Sequence, residues 1–438
     1  MSEVDLFSYQ QKLFERICSP DELASAFRAV KRNGGAPGVD GVTVKQFEER
    51  LKEELSQLKK DLESWTYEPK PVRRVEIPKP GGSGVRMLGI PTVRDRVLHA
   101  AIKAVLEPIF DPGFSEHSYG FRPKRNQRQA VEAAQRIVQS GKEHVVDLDL
   151  AQFFDRIHHD RLIYRLGLKV QDKRVLRLIG LTLRSGIMKD GMVSTTTEGS
   201  VQGSPLSPLL SNVVLDELDR ELERRGLEFC RFADDCNIFV KTEKAAERVM
   251  RTVTRFIEGR LKLVVNREKS KVALSRGVRF LGMTIVAGAI AISAKSMQRA
   301  MDQVKELTPR GTSQTLEQTV GQINRWYVGW AGYYKMTQYP SQLAGIEAHL
   351  RRRLRSRIVS QQKKRRHLFE RLILRGVSRK QVAKDVYGRN QRRWALSHSR
   401  SMEAAYPNRY FIQELGQRIV SSEEHPHWFP LKRWIRLS

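Results

Sequence analysis

Two stretches of this chain decide its fold: V-V-D-L-D-L-A-Q-F-F-D-R-I at Val145–Ile157 and R-F-A-D-D-C-N-I-F-V at Arg231–Val240. In the first, apolar and acidic residues alternate over Val146–Leu150, which is the period of a half-buried strand. In the second, apolar flanks surround Asp234 and Asp235, which predicts two short strands joined at an acidic turn. The sequence therefore predicts a sheet with carboxylates at the ends of neighbouring strands.

A carboxylate at Asp149 that faces the pair Asp234 and Asp235 would suit hard divalent cations. Mg²⁺ typically binds one or two carboxylates plus substrate phosphates. Two such ions, roughly 3.5–4 Å apart, can hold the attacking and leaving oxygens of a phosphoryl transfer. Aspartate is also common in tight turns, where it hydrogen-bonds local backbone. The acidic pair alone is therefore more often structural, and only its combination with the first stretch favours a metal site.

The composition favours a polyanionic partner. The chain has 438 residues, with 78 Lys and Arg against 49 Asp and Glu and a formal net charge of +29, an excess that favours nucleic acid or an anionic surface. Hydrophobic residues make up 40%, which is enough for buried cores, and the length suggests two to four domains. No apolar run approaches the roughly 18–20 residues of a membrane span, and the amino terminus lacks the layout of a signal peptide. We therefore expect a cytoplasmic protein with no membrane partner.

The three cysteines, Cys18, Cys230 and Cys236, include no C-x-x-C pair. They are typical of a reducing compartment, and a structural zinc site is not expected.

The positive charge is concentrated in 351–400, which holds eighteen Lys and Arg against two acids, Glu370 and Asp385. Apolar residues recur there at helical spacing, which predicts a basic helical platform for a nucleic-acid backbone whose binding weakens steeply with salt. A merely solvated cationic face remains the alternative. The candidates for backbone contact are Arg351, Arg352, Arg355, Lys363 and Arg365.

Hydrophobic periodicity and turn residues give a coarse order of elements. The predicted helices cover 21–32, 45–65, 93–109, 126–140, a stretch from about 158, 209–225 and 243–260; the predicted strands cover 75–77, 85–90, 144–150, 262–265, 271–275 and 286–292. From about 296 the pattern is mostly helical.

Eight further blocks follow G-A-P-G-V-D-G at Gly35–Gly41 in a fixed order. They are R-R-V-E-I-P-K-P-G-G (Arg73–Gly82), L-G-I-P-T-V-R-D-R (Leu88–Arg96), S-Y-G-F-R-P (Ser118–Pro123), D-L-A-Q-F-F-D (Asp149–Asp155), Q-G-S-P-L-S-P-L-L-S-N (Gln202–Asn212), F-A-D-D (Phe232–Asp235), V-N-R-E-K-S (Val265–Ser270) and F-L-G (Phe280–Gly282). In these blocks the chain resembles a bacterial group II intron-encoded reverse transcriptase and maturase. The resemblance covers nearly the whole chain.

The resemblance implies an α+β fold, that of a right-hand polymerase. It places the amino-terminal extension and the fingers in 1–140, with parts of 160–200, and an antiparallel-sheet palm in 141–292. A helical thumb, or maturase domain, would follow in 293–375, and a basic DNA-binding segment in 376–438. Some relatives end in a cysteine-rich endonuclease, and we expect this chain to be of the type that lacks one.

The resemblance also assigns the catalytic roles. Asp149, Asp234 and Asp235 match the metal-binding carboxylates, Leu150 joins them as a metal ligand, and two Mg²⁺ ions are implied, with Mn²⁺ as an alternative. Asp147 and Asp155 fall outside the catalytic positions and are expected to be structural. The residues that match contacts to the incoming deoxynucleotide are Arg73, Lys79, Arg86, Phe153, Phe154, Gln202 and Gly203.

One of the two phenylalanines would exclude a 2′-hydroxyl and the other would be core; we slightly favour Phe154 for the first role. Asn266 and Lys269 resemble residues near the primer terminus. In I-N-R-W-Y-V-G-W-A-G-Y-Y (Ile323–Tyr334), Asn324 and Arg325 are candidates for backbone contact. The aromatic residues of that stretch, Trp326, Trp330 and Tyr334, are expected to be core rather than base platforms.

The implied function is a Mg²⁺-dependent RNA-directed DNA polymerase that also assists intron RNA splicing and mobility in a bacterial cytoplasm, in association with the nucleoid. Its partners would be an RNA template and intron RNA, a DNA primer or target, and deoxynucleoside triphosphates; the oligomeric state stays open. The alternatives are a reverse transcriptase recruited to antiviral defence or DNA repair, and an RNA-binding splicing factor with a relic site.

Three positions depart from the pattern without removing a metal ligand. The usual Pro before Gln-Gly is Val201, the usual Tyr before Ala-Asp-Asp is Phe232, and the usual Asp-His is His158-His159.

Overall fold

The computed structural model describes residues 12–78, 85–189, 192–194, 198–199, 203–309, 311–362, 364–388 and 392–420. The chain divides into two compact units, Met1–Leu274 and Ser275–Ser438. Helices and sheets occur together, as the predicted α+β class requires. None of the helices in the described ranges has the length and apolar character needed to cross a membrane.

Six of the ten described helices of the first unit begin at a residue whose side chain caps the helix. Asn126, for example, accepts a hydrogen bond from the Gln129 backbone while the Gln129 side chain accepts one from the Asn126 backbone, and this capping box fixes the predicted helix start. The helices are α1 (Leu13–Ile17), α2 (Pro20–Asn33), α3 (Val44–Glu49), α4 (Leu51–Glu63), α5 (Val93–Phe110), α6 (Gln127–Gln139), α7 (His159–Gly167), α8 (Lys173–Leu183), α9 (Ser207–Arg224) and α10 (Glu243–Phe256). The predicted helix 45–65 is thus two helices, which meet at Arg50.

One four-stranded sheet of the first unit contains the predicted hairpin. Its strands are β1 (Val72–Pro78), β2 (Val85–Ile90), β4 (Ile187–Lys189) and β5 (Met192–Ser194), in the order β2-β1-β4-β5. β1 pairs antiparallel with β2, with Arg73 opposite Ile90, and parallel with β4.

The second sheet is entirely antiparallel, as expected for the palm. Its strands are β3 (His144–Leu148), β6 (Glu228–Phe232), β7 (Asp235–Val240) and β8 (Lys271–Leu274), in the order β6-β7-β3-β8. Apolar residues on one face, such as Val146, Leu148 and Ile238, join a core that also includes residues of α9 and α10. The predicted strand 262–265 does not form; only Val265 makes an isolated bridge, to Leu150.

The second unit begins with a hairpin where one strand was expected. β9 (Met283–Val286) and β10 (Ala289–Ile292) pair antiparallel. Ala287 and Gly288 have φ angles of +47° and +75°, the conformation that a tight two-residue hairpin turn needs. This hairpin lies in the second compact unit, and the palm boundary at 292 stays a prediction.

Helices form the rest of the second unit around their own core. They are α11 (Ala294–Leu307), α12 (Leu316–Tyr334), α13 (Pro340–Gln361), α14 (Arg365–Leu374), α15 (Arg379–Tyr387), α16 (Arg393–Leu396) and α17 (Arg400–Ala405). Ile323, Tyr327, Leu350, Leu354 and Phe411 are among its fully buried side chains.

Candidate active site

The strand register brings Asp149 and Asp235 to the same end of the palm sheet. Leu148, the last residue of β3, pairs with Cys236 in β7. Asp149 follows Leu148 and Asp235 precedes Cys236, so the two aspartates lie directly beyond the last paired residues. Residues directly opposite on antiparallel strands have Cα atoms about 4.5–5.5 Å apart, and their side chains project from the same face. Leu148 and Cys236 are buried, whereas Asp149 is half-buried and Asp235 is exposed.

Asp234 lies in the turn that joins β6 to β7, as the sequence predicted. The turn is tight because Phe232 and Asp235 are themselves a strand pair. Ala233 takes a left-handed φ of +57°, and a Cβ added to Gly120 would overlap the backbone nitrogen of Ala233. Gly120, from the block Ser118–Pro123, therefore allows a loop to press directly on the acidic turn.

A buried ion pair, not predicted from the sequence, stabilises this turn through a hydrogen bond to its backbone. Arg231 and Asp219 are both fully buried, and the guanidinium donates to the two carboxylate oxygens at 2.7 and 2.5 Å. Arg231 also donates to the carbonyl of Ala233 at 2.9 Å and to the side-chain oxygen of Asn212 at 3.1 Å. Asn212 in turn donates to the carbonyl of Gly120 at 2.9 Å.

Burial alone would lower the pKa of Arg231, but Asp219 outweighs burial and the pKa lies above its ordinary value. Arg231 is thus charged, and its hydrogen bonds to Asp219, Asn212 and Ala233 stabilise the turn. Asp219 stands among charged residues of α9 that look like surface positions. The only sequence signal for the pair is an arginine flanked by the apolar residues Phe229, Cys230 and Phe232 of β6.

The backbone of Asp149 is fixed by the loop between α10 and β8. Its N–H donates to Ser270 Oγ at 3.0 Å, and its carbonyl accepts from the N–H of Asn266 at 2.8 Å. The Lys269 ammonium lies 3.6 Å from a carboxylate oxygen of Asp149. Asn266 and Lys269, predicted near the primer terminus, therefore do lie beside the candidate catalytic carboxylate.

Leu150, the further predicted metal ligand, lies where the same loop meets the end of β3. It forms an isolated bridge with Val265, and the N–H of Ala151 donates to the carbonyl of Val264 at 2.8 Å. This bridge anchors the chain immediately after Asp149.

The donor set fits hard cations that are completed by substrate. Within the described ranges, no group of three or more His, Cys, Asp or Glu side chains is gathered so that it could hold a metal ion. The arrangement instead places Asp149 and Asp235 directly beyond the paired residues Leu148 and Cys236, with Asp234 adjacent in the chain. One or two carboxylates plus substrate phosphates are what Mg²⁺ typically uses, so the residues present fit such an ion.

Asp147 is set apart from these carboxylates by its surroundings. It lies within β3, opposite Asn237 on one side and Lys271 on the other. Burial raises its pKa to about 6; Lys271 opposes this shift and Asp149 adds to it. Its position inside the sheet agrees with the expected structural role.

A cavity of about 680 Å³ is lined by two of the predicted nucleotide contacts. Its walls include Gly203 and Phe154, together with Val75 and Leu88 from the β1–β2 hairpin and Phe121. A Cβ at Gly203 would overlap the carbonyl oxygen of Gly89, so glycine is required for the close approach of these two backbones.

The two neighbouring phenylalanines have separate environments. Phe153 is 3% exposed and belongs to the core. Phe154 is half-buried and lines the cavity, which is the placement we favoured for the ring that meets the sugar.

His99 supports the start of the segment that follows Gly203. Its Nδ1 lies 2.9 Å from the hydroxyl of Ser204, and Ser204 Oγ accepts from the N–H of Leu206. Complete burial lowers the pKa of His99 to about 4, so the ring is neutral at physiological pH.

Four predicted contacts stay predictions. Lys79, Gln202 and Lys363 lie outside the described residues, and only the backbone of Arg86 is described, in β2. Arg73, on β1, is half-buried.

Two predicted backbone-binding arginines of α13 are internal instead. Arg351 and Arg355 are 9% and 6% exposed. Arg355 donates to the carbonyl of Tyr406 at 2.9 Å and to Asn408 at 3.1 Å, so it joins α13 to the segment after α17. The low exposure of both side chains argues against a contact with a nucleic-acid backbone. Charge counted along a helix does not distinguish a solvated arginine from one, such as Arg355, that satisfies a buried carbonyl.

Asn324 is likewise occupied by the protein itself. Its side chain donates to the carbonyl of Gly416 at 2.7 Å and accepts from the N–H of Arg418 at 2.9 Å. It therefore holds the segment near 416–418, and its nucleic-acid contact stays a prediction. Arg325 and Arg365 are exposed, as predicted. Arg352 lies half-buried, with its guanidinium 4.2 Å from the ring centre of Trp394.

The aromatic residues of α12 form a stack within the second unit. The ring centres of Trp326 and Trp330 are 5.8 Å apart, and those of Trp330 and Tyr334 are 4.5 Å apart. The two tryptophans are half-buried against the core of the second unit. Their packing agrees with the core role expected from their spacing.

Two family profiles match this chain. One is described as "Reverse transcriptase (RNA-dependent DNA polymerase)" and matches residues 77–285. The other, "Group II intron, maturase-specific domain", matches residues 297–373.

Relatives of known sequence agree with these matches. Protein YkfC of Escherichia coli is 34% identical over 317 residues, which are 63% of this chain and 83% of that protein. The group II intron-encoded protein LtrA of Lactococcus lactis is 32% identical over 265 residues, which are 60% of this chain but only 43% of LtrA. A solved structure, "Partial Cas6-RT-Cas1--Cas2 complex", is 26% identical with a TM-score of 0.37, covering 57% of this chain and 43% of that one. The chain therefore belongs to the reverse transcriptases that carry a group II intron maturase domain.

Proposed function

We propose that this reverse transcriptase copies RNA into DNA at the end of the palm sheet, with Asp149, Asp234 and Asp235 as the carboxylates that hold two Mg²⁺ ions. The observation that carries the proposal is the pairing of Leu148 with Cys236, which brings Asp149 and Asp235 to one end of the sheet, next to the turn bearing Asp234. The reverse-transcriptase family uses divalent metal ions. When bound, such ions neutralise the charge that develops on the reacting phosphate and its neighbouring oxygens.

The protein residues position the reactants. Asp149 is fixed through its backbone by Ser270 and Asn266, and the acidic turn is fixed by Arg231. Rigid placement of this kind supplies much of the rate in phosphoryl transfer, where catalysis is mainly positioning and charge stabilisation. Lys269, beside Asp149, would contact the phosphate backbone near the primer end.

The cavity lined by Gly203 and Phe154 is proposed to bind the incoming deoxynucleotide. Gly203 permits close approach of backbone to the new base pair. Phe154 would pack against the sugar and leave no room for a 2′-hydroxyl. Arg73 and, beyond the described side chains, Lys79 and Arg86 would pair with the triphosphate, since guanidinium and ammonium groups bind phosphate oxygens well.

The second unit is proposed to bind intron RNA and the template–primer duplex. Its match to the maturase-specific domain supports an RNA partner. Helices α14 and α15 expose a dense set of cations that would pair with phosphates. The exposed members are Arg365, Arg366, Arg371, Arg375, Arg379, Lys380 and Lys384.

Primer extension on an RNA template tests the polymerase proposal directly. Asp234→Ala should abolish deoxynucleotide incorporation, and Asp160→Ala, an exposed aspartate of α7 with an 80% exposed side chain, should leave it unchanged. Equal incorporation by Asp234→Ala and the parent would refute the assigned site. If the parent itself failed to extend the primer while still binding RNA, we would conclude that the protein is an RNA-binding splicing factor and not a polymerase.

Splicing assistance needs its own readout. Asp234→Ala should still accelerate the splicing of a group II intron RNA that the parent assists, because the RNA-binding cations lie outside the catalytic turn. Absence of any assistance by the parent, across group II intron RNAs including one encoded next to its gene, would restrict the function to DNA synthesis.

A further inference from the structure

Phe121 combines an unfavourable backbone conformation with an exposed ring. Its φ angle is +58°, in the left-handed region that a bulky side chain rarely adopts. The residue is nevertheless 46% exposed, so burial of the ring offsets little of that cost. Strained conformations of this kind persist only where the surrounding structure imposes them, and they concentrate at functional sites.

The loop that carries Phe121 is held on both sides. The N–H of Tyr119 donates to the carbonyl of Arg231 at 2.8 Å, and the carbonyl of Gly120 accepts from Asn212 at 2.9 Å. On the other side, Arg122 is buried and donates to the carbonyl of Ser118 at 3.0 Å.

Arg122 also reaches back along the chain. It donates to the carbonyl of Ser115 at 2.5 Å and to Asp111. The positive φ of Phe121 is thus imposed by the same network that fixes the acidic turn.

The ring lies where the proposed substrate would be. Phe121 lines the cavity of about 680 Å³ together with Phe154 and Gly203. Its ring centre is 6.5 Å from that of Phe232, the residue that begins the Phe-Ala-Asp-Asp block. The ring therefore faces the cavity next to the residues already assigned to the sugar and the new base pair.

We propose that Phe121 is a further substrate-contacting residue of the polymerase site, whose ring packs against the nascent base pair in this cavity. The proposal rests on the proposed function, because it takes the cavity as the nucleotide site. A nucleobase suits the position because it offers a flat apolar face, and stacking on an aromatic ring tolerates any base. If Phe121 served only the loop, glycine would meet the backbone requirement with less strain.

The test uses two glycine substitutions in one loop. Phe121→Gly removes both the ring and the backbone strain, so its melting temperature should equal or exceed that of the parent while its kcat/KM for deoxynucleotides falls roughly tenfold. Lys124→Gly is the matched control, because Lys124 is exposed and has a φ of +60° but does not line the cavity. It should gain the same stability and keep parental kinetics. Phe121→Tyr should restore most of the rate.

Each result separates the inference from the proposed function. Parental kcat/KM in Phe121→Gly would overturn the role of the ring while leaving the polymerase proposal intact. A lower melting temperature in Phe121→Gly than in Lys124→Gly would also overturn it, since the ring would then serve the fold. Failure of the proposed function would be seen in a different measurement: Asp234→Ala would incorporate deoxynucleotides as well as the parent.

Discussion

The ammonium nitrogen of Lys269 lies 3.6 Å from a carboxylate oxygen of Asp149. The lysine side chain is 64% exposed and the aspartate 32%, so solvent screens the pair and it adds little to stability. Because Lys269 contributes little to stability, we expect it to act on the substrate. Its positive charge beside the proposed metal ligand would attract the primer backbone.

Lys269→Gln should weaken primer–template binding and leave folding nearly unchanged. The free energy of unfolding should change by less than about 0.5 kcal/mol, as for other exposed pairs. The KM for primer–template should rise. The logarithm of the binding constant should also fall less steeply with the logarithm of salt concentration, by about the amount expected for one lost phosphate contact. Titration of primer–template at several salt concentrations measures both. An unchanged salt slope would contradict the phosphate contact.

The buried pair Arg231–Asp219 should be costly to break. Asp219→Asn leaves a fully buried guanidinium without its counter-charge, and we expect a loss of about 3–5 kcal/mol in the free energy of unfolding. The matched control is the exposed pair Arg128–Glu132 of α6, 63% and 37% exposed, where Glu132→Gln should cost less than about 0.5 kcal/mol. Urea denaturation of the three proteins checks the contrast.

The same pair allows stability to be separated from positioning. Replacing both partners by apolar residues, as Arg231→Met with Asp219→Leu, should recover much of the stability lost in Asp219→Asn. It should not recover polymerase activity, because the carbonyl of Ala233 loses its donor from Arg231. Parental kcat in this double variant would show that the arginine only stabilises the fold.

Phe154 and Phe153 should give different phenotypes. Phe154→Ala opens the cavity wall and should raise incorporation of ribonucleotides relative to deoxynucleotides. Phe153→Leu, in the core, should lower stability by about 1 kcal/mol and leave sugar selection as it was. Competition between ribo- and deoxynucleotides in single-nucleotide extension decides the assignment, and a selectivity change in Phe153→Leu alone would reverse it.

His99 should make stability depend on pH below neutrality. Its pKa falls from 6.5 to about 4 because the neutral ring is fully buried. Between these values the unfolded chain binds a proton that the folded chain does not, so the free energy of unfolding should decrease as pH drops from about 6.5 to about 4, by at most about 3 kcal/mol. His99→Asn, which can still hydrogen-bond Ser204 but does not titrate, should show a shallower slope. Identical slopes in urea denaturation series would exclude this origin.

The sequence predicted those parts of the site that local patterns encode. Alternation around Asp149 and the apolar flanks of Asp234 identify strand ends, and capping residues such as Asn126 define helix starts. These features depend on neighbours within a few residues, which is why their positions agree with the structure to within a few residues.

Long-range pairing could not be predicted in the same way. Nothing local shows that Asp219 is buried against Arg231, or that Arg355 serves carbonyls after α17 instead of nucleic acid. The strain at Phe121 is equally hidden, because its loop is held by Asn212 and Arg231, which are distant in the sequence. Charge and periodicity give the chemistry available, and tertiary contacts decide which side chains remain free to use it.

Metal-directed cleavage tests most directly whether the three aspartates share one ion-binding site. With Fe²⁺ in place of Mg²⁺ and added peroxide, radicals formed at the ion cut nearby backbone. The expected result is cleavage both near residue 149 and near residues 234–235, with both cuts lost in Asp149→Asn. Cuts at only one of the two segments, or cuts at 234–235 that persist in Asp149→Asn, would contradict a shared site.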